Sequence, residues 1–209
     1  MNSTNWVSSI ADVVMAVGIA FVFWQAILVR RQIAADHERS RRQMTVALIQ
    51  RWNGAVTPLT AAADRLISKF DDDQCQKLAD CRELEIKSEH KPLVETCLAG
   101  VLLPGESITE ANGLLKLEQK HVTRLRYQVA DYLNETEAVL LAWQLSIADR
   151  GMIANEFRFL SQPEKGIDAL AKFRAAMGGR QAFPAIHEFV SMLQKRAQEH
   201  GAGEKPPVA

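Results

Sequence analysis

The sequence predicts an all-α fold in which one N-terminal transmembrane helix continues into a cytoplasmic helical bundle. Three observations carry this expectation. Ile10–Val29 (IADVVMAVGIAFVFWQAILV) is an apolar run closed at once by Arg30 and Arg31. Beyond it, apolar residues recur at three- and four-residue spacing between recognisable helix starts and stops. No stretch sustains the two-residue alternation with β-branched enrichment that strands favour.

The apolar run sets the frame. A helix needs about 20 mainly apolar residues to cross a hydrocarbon core, and backbone groups in lipid must pair within the segment. From Val13 to Val29 the one strongly polar residue is Gln25, and Asp12 sits at the outer edge. Trp6 precedes the run, and Phe21, Phe23 and Trp24 lie toward its far end, where aromatic rings suit the interface. A cleaved signal peptide would begin with basic residues and end in small ones. This start, MNSTNWVSSIAD, has no Lys or Arg, and the run ends in FWQAILVRR. Arg30, Arg31, Arg39, Arg41 and Arg42 follow it closely, so the positive-inside rule directs residues 1–9 outward and the rest to the cytoplasm. The same arginines suit anionic lipid headgroups, at about 1 kcal/mol per basic residue. Ala16 and Ala20 form a small-xxx-small pair of the sort found where membrane helices touch, a pattern that also arises on plain lipid-facing helices.

Composition narrows the function classes. The 209 residues carry 25 basic and 25 acidic side chains, a balance that argues against a nucleic-acid binder. Cys75, Cys81 and Cys97 include no Cys-x-x-Cys pair, and in a reducing cytoplasm they are expected to be free thiols. His90 alone is weak support for a metal site.

Residues 30–53 contain no helix breaker and are expected to extend the membrane helix, with His37 exposed and Met44, Leu48 and Trp52 as a stripe entering the core. Asn53-Gly54 ends this helix, and Thr57-Pro58 opens the next as N-cap and first turn, with Leu59, Ala62, Ala63, Leu66 and Phe70 inward. Asp71-Asp72-Asp73 lacks the alternation and distal Glu of a calcium loop and reads as an exposed acidic turn. Gln74–Lys91 is a polar excursion with a short helix near Leu78–Leu84. Pro92 opens a helix carrying Leu93, Val94, Cys97, Leu98, Val101 and Leu102, which Pro104-Gly105 stops. Ser107-Ile-Thr-Glu110 matches a capping box, weakened as a helix start by Gly113. The longest soluble helix runs from about Leu114 or His121 to Asp149, with Leu125, Val129, Tyr132, Thr136, Leu140, Trp143 and Ile147 inward and Val139, Leu141 and Leu145 widening that face. Short helices follow over Met152–Leu160 and from Ser161-Gln-Pro-Glu164, the latter with Ile167, Leu170, Ala171 and Phe173 on one side. Pro184 opens the last helix, with Ile186, Phe189, Val190 and Leu193. Residues 54–199 thus form the cytoplasmic helical domain, and 200–209 (HGAGEKPPVA) a disordered tail.

No P-loop, nucleophile elbow, glycine-rich dinucleotide turn, HExxH or Glu-x-x-His spacing occurs, so no catalytic residue, cofactor or metal is assigned and the chain is not read as an enzyme. Tyr132, Asn134 and Glu137 are read as buried or half-buried polar groups fixing helix neighbours. The membrane helix, the Arg51-Trp52 pair, Arg124-x-x-Tyr127 and Tyr132-Leu133-Asn134-x-x-Glu137 together resemble bacterial proteins of the DUF4760 type. That resemblance covers the anchor and about half the domain; it implies a single-pass membrane protein with a small helical domain and no established activity. The expected role is a tethered interaction module at the bacterial inner membrane, binding a protein partner or its own copy, with a membrane-acting stress or phage-response effector as the alternative.

Overall fold

The computed structural model describes residues 3–102, 108–162 and 167–203. It is all-α in class, with a long N-terminal helix and two small sheets set among the helices. Pro104-Gly105, Ser107, Pro163-Glu164 and residues 204–209 of the tail lie outside the described residues, as do the side chains of Trp6 and Asp12.

The chain divides into two compact units, Met1–Gln43 and Met44–Ala209. Helix α1, Ser3–Ala55, supplies the first and lends its last turns to the second. In the first unit the side chains from Met15 onward are exposed. Phe21, Val22, Phe23 and Trp24 are each more than half exposed. Successive helical residues point about 100° apart, so four in a row leave the helix apolar on every side. This helix is long and apolar enough to cross a membrane.

The second unit begins where α1 acquires a single buried face. Thr45 and Trp52 are buried, and Leu48, Ile49, Ala55 and Val56 half-buried. The predicted stripe is therefore shifted by one residue at its start, because Met44 is exposed and Thr45 takes the inward position. The helix also continues through Gly54 to Ala55.

α2 (Pro58–Ile67) starts as expected, with Thr57 and Thr60 forming a reciprocal capping box and Pro58 in the first turn. It buries Ala62, Ala63, Leu66 and Ile67. Asp71 accepts from the Gln74 N–H at 2.8 Å and caps α3 (Asp72–Ala79), so the acidic triplet starts a helix as well as being exposed. The expected helix at Leu78–Leu84 is replaced by the end of α3 and a strand, β1 (Leu84–Lys87).

α4 (Lys91–Cys97) buries Val94 and Cys97 and is shorter than its apolar pattern suggests. In place of the expected capped helix start stands β2 (Thr109–Ala111), joined to β3 (Leu114–Leu117) through Asn112 and Gly113. Both turn residues have positive φ, 53° and 75°, as the type I′ hairpin turn demands. β3 is the middle strand, antiparallel to β1 and to β2. Leu84, Ile86, Leu115 and Leu117 all face the core from one side of this sheet.

α5 (Gln119–Gln144) runs through the core and buries Leu125, Val129, Tyr132, Thr136, Val139, Leu140 and Trp143 as expected. His121, Val122, Gln128 and Leu133 are also buried. It ends earlier than predicted because Ser146 turns left-handed at φ 57°. Leu145 and Ile147, past that end, stay exposed, and so does Leu141 on the outer face of the helix. α6 (Arg150–Glu156) is capped by Asp149 and runs into a 3₁₀ turn, Phe157–Leu160. Where a helix is expected from Ser161, the chain forms a two-stranded antiparallel pair, β4 (Ser161–Gln162) and β5 (Ile167–Asp168). α7 (Ala171–Ala176) follows, and α8 (Pro184–Gly203) closes the described chain, reaching into the segment expected as a tail.

Candidate functional site

Three tethers join the end of α1 to the rest of the second unit. The buried Thr45 hydroxyl accepts from the Asp149 N–H at 2.7 Å, on the residue that caps α6. The Trp52 indole N–H donates to Thr136 Oγ1 at 3.0 Å, and that hydroxyl donates in turn to the Tyr132 carbonyl at 2.8 Å. Arg51 pairs with Glu135 at 2.7 Å on the exposed side of the same helix. The Trp52 ring meets Phe157 edge-on at 4.9 Å and lies 5.9 Å from Phe159 and 6.2 Å from Tyr132. A buried donor with its partner, inside an aromatic cluster, is the arrangement a core tryptophan needs.

Beside this cluster lies a cavity of about 670 Å³, a size that suits a small organic ligand. Asp64 and Ile67 on α2 and Ser68, the residue capping its end, line one wall at i, i+3 and i+4, with Tyr132 from α5 and Phe159 from the 3₁₀ turn. The opposite wall is Asp168–Phe173, where the chain leaves β5 and enters α7. Ala169 and Leu170 there are both left-handed, with φ 35° and 54°. Side chains with a Cβ take that conformation at a cost of about 1–2 kcal/mol each. The Arg174 guanidinium holds the turn in place. It is buried, donates from Nε to the Ala169 carbonyl at 2.7 Å, and pairs with Asp168 at 3.4 Å.

The electrostatics around the cavity follow from burial. Desolvation raises the Asp64 carboxyl above the usual aspartate range, against the opposing pull of Arg65. Burial likewise raises the Tyr132 phenol, and the Asp64 charge adds to the effect, so Tyr132 is a neutral hydroxyl at physiological pH. Arg174 is lowered by its own desolvation, with Asp168 and Glu137 opposing.

The residues singled out from sequence divide among several places. Tyr132 lines the cavity. Glu137 is half-buried and caps α8, its two carboxylate oxygens accepting from the Ala185 and Ile186 N–H groups at 2.7 and 2.9 Å. An anion at a helix N-terminus is a stabilising partner. Asn134 differs from expectation: it is exposed and lines a separate surface groove with Arg124 and Tyr127. Arg30, Arg31, Arg39, Arg41 and Arg42 are exposed along α1, Arg42 pairing with Glu38 one turn earlier. Cys75 and Cys97 are buried free thiols pushed up to about 11 by desolvation, which keeps them protonated and unreactive. Cys81 is free and half-buried.

Among the described residues no group of three His, Cys, Asp or Glu side chains is arranged to hold a metal ion. Sequence reasoning does not find Thr45, Asp64 or the Asp168–Leu170 wall. Thr45 and its partner lie 104 residues apart, and nothing local to Leu170 signals a left-handed turn. Comparison with protein-family models, curated proteins and solved structures finds no match for this chain.

Proposed function

We propose that this chain is a membrane-anchored interaction module, with Met44–Ala209 held at the cytoplasmic face of a bacterial inner membrane by a single pass of α1. The observation that carries the reading is the apolar surface from Met15 to Val29, exposed on every side of the helix. An exposed apolar surface of that extent calls for a covering medium, and the run it belongs to, Ile10–Val29, has about the 20 residues that a bilayer core needs. The following Arg30, Arg31, Arg39, Arg41 and Arg42 favour a cytoplasmic domain. Tethering confines the domain to a surface and raises its effective concentration toward a partner or a second copy, with no catalytic group required.

The test has two stages. A C-terminally tagged chain should stay in the membrane pellet through alkaline carbonate. The tag should resist protease in intact spheroplasts and be cleaved after lysis. Extraction by carbonate rejects the anchor, and cleavage in intact spheroplasts rejects the orientation. Crosslinking in native membranes should then yield a discrete adduct; recovery of the monomer alone rejects the interaction role.

A further inference from the structure

We propose that the cavity between α2, α5 and the β5–α7 wall binds an organic amine, its ammonium group beside Asp64 and its apolar body against Tyr132 and Phe159. The proposal is independent of the membrane reading, because every residue it uses lies within Met44–Ala209.

Four features point to this chemistry. The walls are mainly apolar, with Ile67, Leu93, Leu160 and Phe173 beside the two aromatic rings already named. Such a surface gains by excluding water against an apolar ligand body. Asp64, half-buried in that wall, accepts no side-chain hydrogen bond from the described residues. A carboxylate partly removed from water, with the neighbouring Arg65 charge as its counterweight and no hydrogen-bond donor, is unfavourable, and an ammonium supplies both charge and donors.

The second carboxylate of the lining, Asp168, is already engaged by Arg174. That leaves Asp64 as the acid with capacity for a ligand. Rings at the wall add attraction for a cation over their faces.

Arg65, Lys69 and Lys172 also line this cavity and would attract an anion instead. All three are exposed, so water and salt screen them, whereas Asp64 acts from a desolvated wall. The less screened charge sets the preference.

The test uses the full chain in non-ionic detergent micelles, with empty micelles as control. Phenethylamine is compared with phenethyl alcohol and 3-phenylpropionate by ligand-observed NMR at neutral pH. The amine should bind at least about tenfold tighter than either isostere. Asp64→Asn, which keeps shape and removes charge, should lose at least about tenfold in amine affinity while leaving the alcohol unchanged. Ala171→Phe, which fills the cavity, should abolish binding of the amine and the alcohol alike. Equal binding of amine and alcohol, tighter binding of the propionate, or an unaltered amine affinity in Asp64→Asn would each overturn the proposal. Should Ala171→Phe fail to fold, the Asp64→Asn comparison decides.

Discussion

The two ends of α1 are built from the same kind of residue and meet opposite fates. Between Met15 and Val29 the apolar side chains are exposed, Phe23 to 68%. Between Thr45 and Ala55 one face is buried, with Trp52 on it 8% exposed, while Val46 off that face is 44% exposed. The difference lies in angular distribution, since a single stripe can be buried by one neighbouring surface. An apolar cylinder needs a surround, which a bundle of this size does not offer and a bilayer does. Polar content completes the contrast. The buried end of the helix carries Thr45 and the Trp52 indole, each with a specific partner, while the exposed run has only Gln25 in its interior.

The largest effect is expected from breaking the apolar run. Ile19→Lys with Val22→Lys places two charges near the middle of the segment, at about 2.5–3.5 kcal/mol each, or about 5–7 kcal/mol together. The double variant should leave the membrane pellet, while the thermal unfolding of the domain stays at its wild-type midpoint. A variant still resistant to carbonate would mean that something other than lipid covers the run.

Trp52→Ala attacks the other end. It removes the ring against Phe157, Phe159 and Tyr132 and leaves a cavity, with an expected loss of about 3–5 kcal/mol in urea unfolding. Membrane retention should be unaffected. Trp52→Phe should recover most of the loss, because the Thr136 hydroxyl still donates to the Tyr132 carbonyl. If Trp52→Ala releases the chain from the membrane and leaves urea stability intact, the division of labour along α1 is wrong.

How much of this is legible from sequence depends on how far each signal reaches. The candidate span can be read because a membrane crossing would impose a contiguous requirement, one that adjacent residues meet. The start of α2 can be read because Thr57, Pro58 and Thr60 interact within one turn. Asn112-Gly113 is equally local and misleads: a dipeptide that favours a type I′ turn passes for a flaw in a helix, since the flanking strands are only three and four residues long. Leu84–Lys87 is missed for the same reason, four alternating residues being too few to stand out. Trp52 is found by its spacing, but Met44 is placed inward and Thr45 overlooked, because periodicity alone ranks a methionine above a threonine. Glu137 stands out as a fixing group, although its partners, the first N–H groups of α8, lie 48 and 49 residues away. The cavity is invisible. Its walls come from α2, α5 and the β5–α7 turn, and the turn depends on a buried Arg174 reaching back to Ala169.

Thr45 gives a sharper and smaller test of the same comparison. Thr45→Val keeps the shape of the side chain and removes the acceptor for the Asp149 N–H. A partly buried N–H left without a partner costs about 1–3 kcal/mol, so urea stability should fall by that amount. Thr45→Ser should stay near wild type. A neutral Thr45→Val would show that water replaces the hydroxyl, and the weight at the end of α1 would shift to the Trp52 contacts.

The smallest effect belongs to the pair most conspicuous at the surface. Arg51 and Glu135 meet at 2.7 Å, and the carboxylate raises the Arg51 guanidinium further above its already high range, first through the hydrogen bond and then through charge. Both partners nevertheless compete with water, and the Arg51 side chain is 67% exposed. Holding two long side chains in one geometry loses conformational entropy that a screened contact scarcely offsets. Arg51→Ala should therefore leave the urea midpoint unchanged within error at moderate salt, and any small difference should vanish at high salt. A shift as large as that of Thr45→Val would mean that the exposed face of α1 holds the domain as firmly as the buried one. The helix would then be clamped from two sides, and the one-stripe account of its C-terminal end would have to give way.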